Sequence, residues 1–340
     1  MTGNFLTMIS FYKIPAVSGI CASLLLAGCS FGTGNTPAEV NGFKLDTFVT
    51  ITAYDDTDKS VLDEALRMCD EYEKIFSMHD KASELWRLNH NETSIVSEDL
   101  GNAIDKGLQM YGLSNGSFQI SIGSVSGLWD FRSGTHIVPE DSALKEALQY
   151  TDDSKISVSK EGSGRKVTKP SETIIDLGAV AKGYISGKLK EFLISKGCES
   201  AVINLGGNVC CLGDKNGSPF NIGVRKPFGE ASDTVAVFEL NDMSLITSGV
   251  SERYFKGDDG RIYHHILDPS TGYPYDNGLY QVSVITKDPV DGDCLSTLCF
   301  ALGLDEGLEL IEDTPDTEAL FITSDGALHY SSGAEKYLRR

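Results

Sequence analysis

Residues 201–247 read AVINLGGNVCCLGDKNGSPFNIGVRKPFGEASDTVAVFELNDMSLIT, and this stretch decides the fold class. Ala201–Asn204 is a strand run that enters a tight turn at Leu205-Gly206-Gly207-Asn208, where glycine accepts the positive φ that reverses a chain. Phe220–Val224, Thr234–Leu240 and Ser244–Thr247 follow as strands rich in Val and Phe, separated by Gly, Pro, Asn and Asp. Strands that succeed one another across turn residues alone pair as antiparallel hairpins, whereas a doubly wound parallel sheet needs a helix after each strand. The expectation is an α+β fold of mixed, largely antiparallel sheets with packed helices.

Working outward, a helix is expected from Ala179 to Lys196, preceded by short strands at Ile156–Ser159 and Thr173–Asp176. Leu45–Tyr54 alternates as a strand. Ser60–Phe76 places Leu62, Ala65, Leu66, Cys69, Tyr72 and Phe76 on one helical face. Further helices are expected at Glu98–Ser114, Asp141–Gln149, Gly292–Leu302 and Leu304–Glu312, and further strands at Tyr263–Leu267, Gln281–Thr286 and Ala319–Thr323. No internal repeat is present.

The N-terminus is of another kind. Lys13 precedes an apolar and small-residue run, Ile14–Ala27, too short to span a bilayer and shaped as a signal peptide. It ends in Leu26-Ala27-Gly28-Cys29, the spacing of lipoprotein processing, so residues 1–28 are expected to be removed and Cys29 to carry lipid. That anchor would hold the chain extracytoplasmically, at the outer face of the cytoplasmic membrane or in the periplasm. Residues 29–40, rich in Gly, Thr, Asn and Pro, are expected as a flexible tether, with a folded region at 41–335 forming one large domain or two intimate halves. The hydrophobic content of 41% is that of an ordinary core. A formal charge of −20 argues against nucleic acid as a partner, because both would repel. Beyond Cys21 and Cys29, six cysteines at 69, 198, 210, 211, 294 and 299 form no CxxC or zinc spacing. Buried free thiols are the better account, with a disulfide among some of them left open.

Chemistry concentrates in a few segments. Asp176-Leu177-Gly178-Ala179-Val180-Ala181-Lys182 sets an acid before a helix and a lysine one turn in, which suits an anion at the helix N-terminus and equally suits a plain capping Asp with a solvated Lys. Gly178 is the glycine expected to allow close backbone approach. His264-His265-Ile266-Leu267-Asp268-Pro269-Ser270-Thr271-Gly272 ends an apolar strand in two imidazoles and a turn bearing carboxylate and hydroxyls. Asp293 and Thr297 stand at i and i+4 on one helical face and offer hard oxygens; a helix-start Asp with a buried Thr accounts for them as well.

Taken in order, the blocks LDTFVTI (45–51), SELWRLN (83–89), GSFQISIGSVSGLW (116–129), DLGAVAKGY (176–184), INLGGNV (203–209), IGVRKP (222–227), TSGVSERYF (247–255), YHHILDPSTGYP (263–274) and DCLSTLCF (293–300) resemble the ApbE family of FAD:protein FMN transferases. The resemblance implies Mg²⁺ held by Asp293, Thr297 and the carbonyl of Ala179, with Ser296 beside them. It implies FAD contacts at Leu45, Ser117, Phe118, Gln119, Asp176, Lys182 and Leu267. His265 matches the family's histidine and is the expected base, oriented by Asp268. The chain departs from the pattern of many relatives at Leu45-Asp46-Thr47, where they carry Met-Gly-Thr, and at Phe118-Gln119-Ile120-Ser121, where they carry Phe-Asp-any-Thr.

The activity implied is transfer of FMN from FAD to a threonine of extracytoplasmic flavoproteins, with release of AMP. The implied acceptors carry a Ser/Thr-Gly-Ala-Ser/Thr type motif, in respiratory complex subunits and small FMN-binding domains. The same residues would serve a pyrophosphatase that splits FAD to FMN and AMP with water. A lipoprotein that binds FAD without chemistry is the reading from a different class.

Overall fold

The structure is a computed structural model and describes residues 36–340 apart from 132, 133, 135 and 231. The expected signal peptide and Cys29 lie outside the described residues.

In chain order the elements are β1 (Ala38–Lys44), β2 (Thr47–Ala53), α1 (Lys59–Phe76), α2 (Glu84–Asn89), β3 (Ile95–Val96), α3 (Glu98–Leu113), α4 (Gly123–Ser126), α5 (Asp141–Ala147), β4 (Ser157–Glu161), β5 (Gly164–Thr168) and α6 (Ala181–Ser195). They continue as β6 (Ala201–Leu205), β7 (Asn208–Leu212), β8 (Phe220–Arg225), β9 (Thr234–Leu240), β10 (Ser244–Gly249), β11 (Tyr254–Lys256), β12 (Ile262–His264), β13 (Leu279–Thr286), α7 (Pro289–Leu302), α8 (Leu304–Glu312), β14 (Glu318–Thr323) and β15 (Leu328–Tyr330). No helix among the described residues is long and apolar enough to cross a membrane.

One eight-stranded sheet in the order β1-β2-β6-β7-β10-β13-β14-β15 organises the molecule, and every neighbouring pair in it is antiparallel. Its strands alternate between two apolar layers, as a period of two demands. Ile203, Leu205 and Cys210 face a layer shared with Leu62 and Ala65 of α1 and Leu189 and Leu193 of α6. Val282, Val284 and Phe321 meet Leu295, Cys299 and Phe300 of α7 on the helical side. The opposite face, with Cys211, Leu245, Ile285 and Leu320, is covered by Phe220, Val224 and Phe238 of the β8–β9 hairpin. Helices on one face and a hairpin on the other give the α+β architecture expected from residues 201–247.

Some boundaries differ from expectation, each for a local reason. Residues 38–40, expected in the tether, belong instead to β1, because Ala38–Val40 pair with Ile51–Ala53. That strand was hidden by its polar composition, with Val40 its one deeply buried side chain. Thr173–Asp176 is extended but joins no sheet. Its Ile175 exchanges two hydrogen bonds with the amide of buried Asn89, both at 2.8 Å, so a side chain stands in for a strand on one edge, while Ile174 makes an isolated parallel bridge with Ile122 on the other. The strand expected at Tyr263–Leu267 stops at His264, where the backbone turns and the Ile266 N–H donates to the His264 ring at 3.3 Å. All six described cysteines are free and buried, and burial pushes their thiols up.

Candidate active site

A cavity of about 780 Å³ opens where two hairpin turns, the start of α6 and the cavity-facing side of α7 converge. Lys44 pairs with Thr47, so Leu45 and Asp46 form a two-residue turn with φ of 53° and 57°. Beside it Gly206 and Gly207 turn β6 into β7 with φ of 65° and 105°. Both are the positive-φ turns that suit the twist of a hairpin. Gly206 also needs to lack a side chain, since a Cβ there would lie 1.9 Å from Thr47 Oγ1. Leu45 has no such licence: a leucine in the left-handed region costs about 1–2 kcal/mol, and the turn holds it in the cavity wall.

The centre of the site is Asp293, only 2% exposed. Its Oδ2 accepts from the Gly183 N–H and its Oδ1 from Asn208 Nδ2, both at 2.8 Å. In a regular helix the Gly183 N–H would bond the Ala179 carbonyl four residues back. Here it turns to Asp293, and the Ala179 carbonyl in the cavity wall is left outside the helical ladder. The two helices approach this closely because residue 183 is glycine. A Cβ there would meet Pro289 O at 2.3 Å and Asp293 Cβ at 2.6 Å. Gly183, not Gly178, is thus the glycine the packing requires. Burial pushes the Asp293 carboxyl up, opposed by Lys182 and by the donors from Gly183 and Asn208. Asn208 Oδ1, buried beside it, has no partner.

Thr297 lies one turn further along α7, its Oγ1 3.0 Å from Ser248 Oγ. Ser248 Oγ also meets Ser296 Oγ at 2.8 Å. Ser296 is fully buried, donates to the Asp293 carbonyl at 3.0 Å and does not reach the cavity, so it braces α7 rather than facing a ligand. Asp293, Thr297 and Ala179 do line the cavity, and their carboxylate, hydroxyl and unused carbonyl form a hard-oxygen set suited to Mg²⁺. No group of three or more His, Cys, Asp or Glu among the described residues is placed to hold a metal.

In the same cavity Lys182 Nζ stands 3.8 Å from Glu252 Oε2, and burial pushes the Glu252 carboxyl up against the opposing charges of Lys182 and Arg253. His265 lies in the same wall. Its Nδ1 is 3.2 Å from the Arg253 carbonyl, which can only accept, so Nδ1 bears the proton and Nε2 keeps its lone pair. Burial, then the cations Arg253 and Lys182, lower its pKa to about 4. His265 is therefore a neutral imidazole through the physiological range.

Asp268 is not its orienting partner. The Asp268 carboxylate accepts from Ser270 N at 2.7 Å and Thr271 Oγ1 at 3.1 Å, closing its own turn, and the Arg253 carbonyl takes the orienting role. His264 differs from its neighbour: it is 4% exposed and spends both nitrogens on backbone, Nε2 donating to Tyr275 O at 2.9 Å and Nδ1 accepting from Ile266 N.

The expected flavin-contacting residues Leu45, Ser117, Phe118, Gln119, Asp176, Lys182 and Leu267 all line this cavity. Asp176 accepts from Gly178 N at 2.9 Å and Ser126 Oγ at 2.8 Å, tying the entry of α6 to the segment after α3. That segment is held by Asp153, whose oxygens accept from the N–H groups of Ile120 and Ser121 at 2.8 Å each. Asn208, Ser248, Glu252, Arg253 and Asp153 were not singled out from the sequence. The first four fall inside the matching blocks, but no spacing rule links them to Asp293 or His265.

The model of the ApbE family matches residues 45–321. The chain belongs to the ApbE family. An FAD:protein FMN transferase of Klebsiella pneumoniae (strain 342) is 32% identical over 278 residues, 81% of this chain and 86% of that protein. One of Treponema pallidum (strain Nichols) is 32% identical over 294 residues, 81% of this chain and 80% of that protein. The solved ApbE protein of Thermotoga maritima matches with a TM-score of 0.81 and 29% identity, over 90% of this chain and 100% of that one. The flavin transferase ApbE from Vibrio cholerae matches with a TM-score of 0.77 and 26% identity, over 89% and 100%. The ApbE architecture is thus shared across nearly all of the described chain.

Proposed function

We propose that this chain is a magnesium-dependent FAD:protein FMN transferase that attaches FMN through a phosphoester bond to a threonine of extracytoplasmic flavoproteins. The observation that carries the reading is the opening onto one cavity of a hard-oxygen set (Asp293, Thr297, Ala179) and a neutral imidazole with a free Nε2 (His265). The names of the relatives support the same chemistry. Mg²⁺ held by those three oxygens would neutralise charge on the FAD pyrophosphate and polarise it. The chain's own residues do the rest. Lys182 and Arg253 attract the phosphate oxygens, and Lys182 with the donors from Gly183 and Asn208 opposes the upward push of burial on the Asp293 carboxyl. His265 Nε2 takes the proton of the acceptor threonine as its oxygen bonds the FMN-side phosphorus. The bond from that phosphorus to the bridging oxygen breaks, and AMP leaves with the oxygen.

Phosphate binding would offset the two cations that depress His265, raising its basicity when substrate is present. Acceptors with a Ser/Thr-Gly-Ala-Ser/Thr type motif, in respiratory complex subunits or FMN-binding domains, fit this role. Export and attachment through Cys29 complete the proposal and rest on residues 13–29. Incubation of the soluble domain with FAD, Mg²⁺ and an acceptor domain should yield a fluorescent acceptor band on a denaturing gel. No band at any magnesium concentration, or full labelling by Asp293→Ala at low magnesium, would refute the reading. Cys29→Ser should release the protein from membranes, and retention there would refute the anchor.

A further inference from the structure

We propose that an exposed ridge of Phe228 and Tyr254, flanked by Lys226 and Lys256, docks the acceptor polypeptide and recognises an acidic segment of it. The proposal rests on the transferase reading, in which the hydroxyl substrate is carried by a protein. Only a short segment of such a substrate can enter the cavity to reach His265 Nε2. The remainder must lie on surface beside the opening.

The β11–β12 ladder pairs Tyr254 with His264, and the residue before Tyr254 is Arg253, whose carbonyl holds the His265 ring. The ridge therefore begins one residue from the proposed base. Phe228 is 40% exposed and Tyr254 43% exposed. Their rings meet edge to face at 5.0 Å and 87°, and Phe228 packs likewise on Tyr280 at 5.2 Å and 83°. Phe228 also sits at φ 58°, the left-handed region where a bulky side chain is strained. Strain spent to present an aromatic ring to solvent gains little for the fold, but it fixes an anchor in one orientation before a partner arrives.

Charge selects the partner. The chain carries −20 overall, yet Arg225, Lys226, Arg253 and Lys256 gather at this edge of the cavity and none is in an ion pair among the described residues. Arg225, Lys226 and Arg253 line the cavity rim, and Lys256 ends β11 beyond it. Aromatic rings set among unpaired cations are the composition of interface hot spots, and they complement an acidic polypeptide. A second copy of this chain would bring the same cations to the contact.

The test measures FMN transfer to a recombinant FMN-binding domain bearing the acceptor motif, with Phe228→Ala, Tyr254→Ala and Lys256→Glu compared to the unaltered chain. Each variant should raise the KM for the acceptor about tenfold, while the KM for FAD and kcat at saturating acceptor stay within twofold. Salt should raise the acceptor KM of the unaltered chain, and Lys256→Glu should flatten that dependence. Phe228→Ala removes a 40%-exposed ring and leaves the backbone in the same left-handed region, so its melting temperature should change little, and an unchanged melting temperature beside a raised acceptor KM excludes a folding defect. Unchanged acceptor KM in all three variants overturns the proposal. So does a parallel rise in the KM for FAD, or loss of self-association or of binding to anionic phosphatidylglycerol vesicles with acceptor KM unchanged. Absence of transfer by the unaltered chain overturns the transferase reading and this proposal with it.

Discussion

Replacing Asn208 by alanine separates what holds the fold from what holds a ligand. Asn208 Nδ2 donates to Asp293 Oδ1 at 2.8 Å, a bond to a buried charged group worth about 1.5–3 kcal/mol. Its Oδ1, however, is buried without a partner, a state that costs about 1–3 kcal/mol. Alanine removes both at once but strips Asp293 Oδ1, on a carboxyl only 2% exposed, of its donor, so folding stability should fall by about 1–3 kcal/mol. The effect on a bound cation is a separate quantity. Loss of a partner that orients a metal ligand lowers affinity about 10–100-fold, or about 1.4–2.8 kcal/mol at 1.4 kcal/mol per tenfold. Calorimetric titration of the soluble domain with Mg²⁺, beside urea melts without metal, reads the two quantities independently. Asn208→Asp gives the converse: a second carboxylate against Asp293 destabilises the metal-free protein, and Mg²⁺ restores it. Unchanged Mg²⁺ affinity in Asn208→Ala would refute the orienting role, and a metal-free stability equal to that of the unaltered chain would refute the cost assigned to the stripped carboxyl.

Three further outcomes are expected. Gly183→Ala drives a methyl against Pro289 O and Asp293 Cβ, so it should cost about 1–3 kcal/mol in urea melts and abolish transfer. Thr297→Val keeps the volume and removes the hydroxyl that reaches the cavity, so Mg²⁺ affinity should fall with the melting temperature little changed. His264 is held near pKa 4 by burial and returns to its ordinary value on unfolding, so between pH 6.5 and about 4 the unfolded chain binds a proton the native one does not. Stability should therefore fall as pH drops through that window, by about 3 kcal/mol for this 4%-exposed group, and a flat profile of melting temperature in that range would contradict the burial argument.

Much of this was legible in the sequence, and what was not has physical causes. The β8–β9 hairpin and α8 were placed to the residue or nearly so, because Thr234–Leu240 and Leu304–Glu312 carry strong local patterns bounded by turn residues. β1 escaped because an edge strand with one inward valine has no apolar alternation to read. Asp293 and Thr297 stand at i and i+4, a local geometry that sequence shows, but it was the family resemblance that singled them out from a helix-start Asp with a buried Thr. Asn208 and Gly183 were not singled out, because they meet Asp293 only through folding, from 85 and 110 residues away. Asp268 was misassigned as the partner of His265 for the reverse reason. Sequence proximity implied a contact, but an Asx turn captures such a carboxylate first. The carbonyl that does orient His265 belongs to Arg253, and a backbone atom leaves no mark in residue identity.

The bond from Gly183 to Asp293 has a consequence for motion as well as for chemistry. It fastens the first turn of one helix to another helix 110 residues later in the chain. A cation shared by Ala179, Asp293 and Thr297 would act there as a removable rivet across a long loop, and such closures resist opening more than local ones do. The first turn of α6 would then fray in the empty protein and stay shut in the loaded one, so that amide exchange at Lys182 and Gly183 reports occupancy without any chemistry taking place.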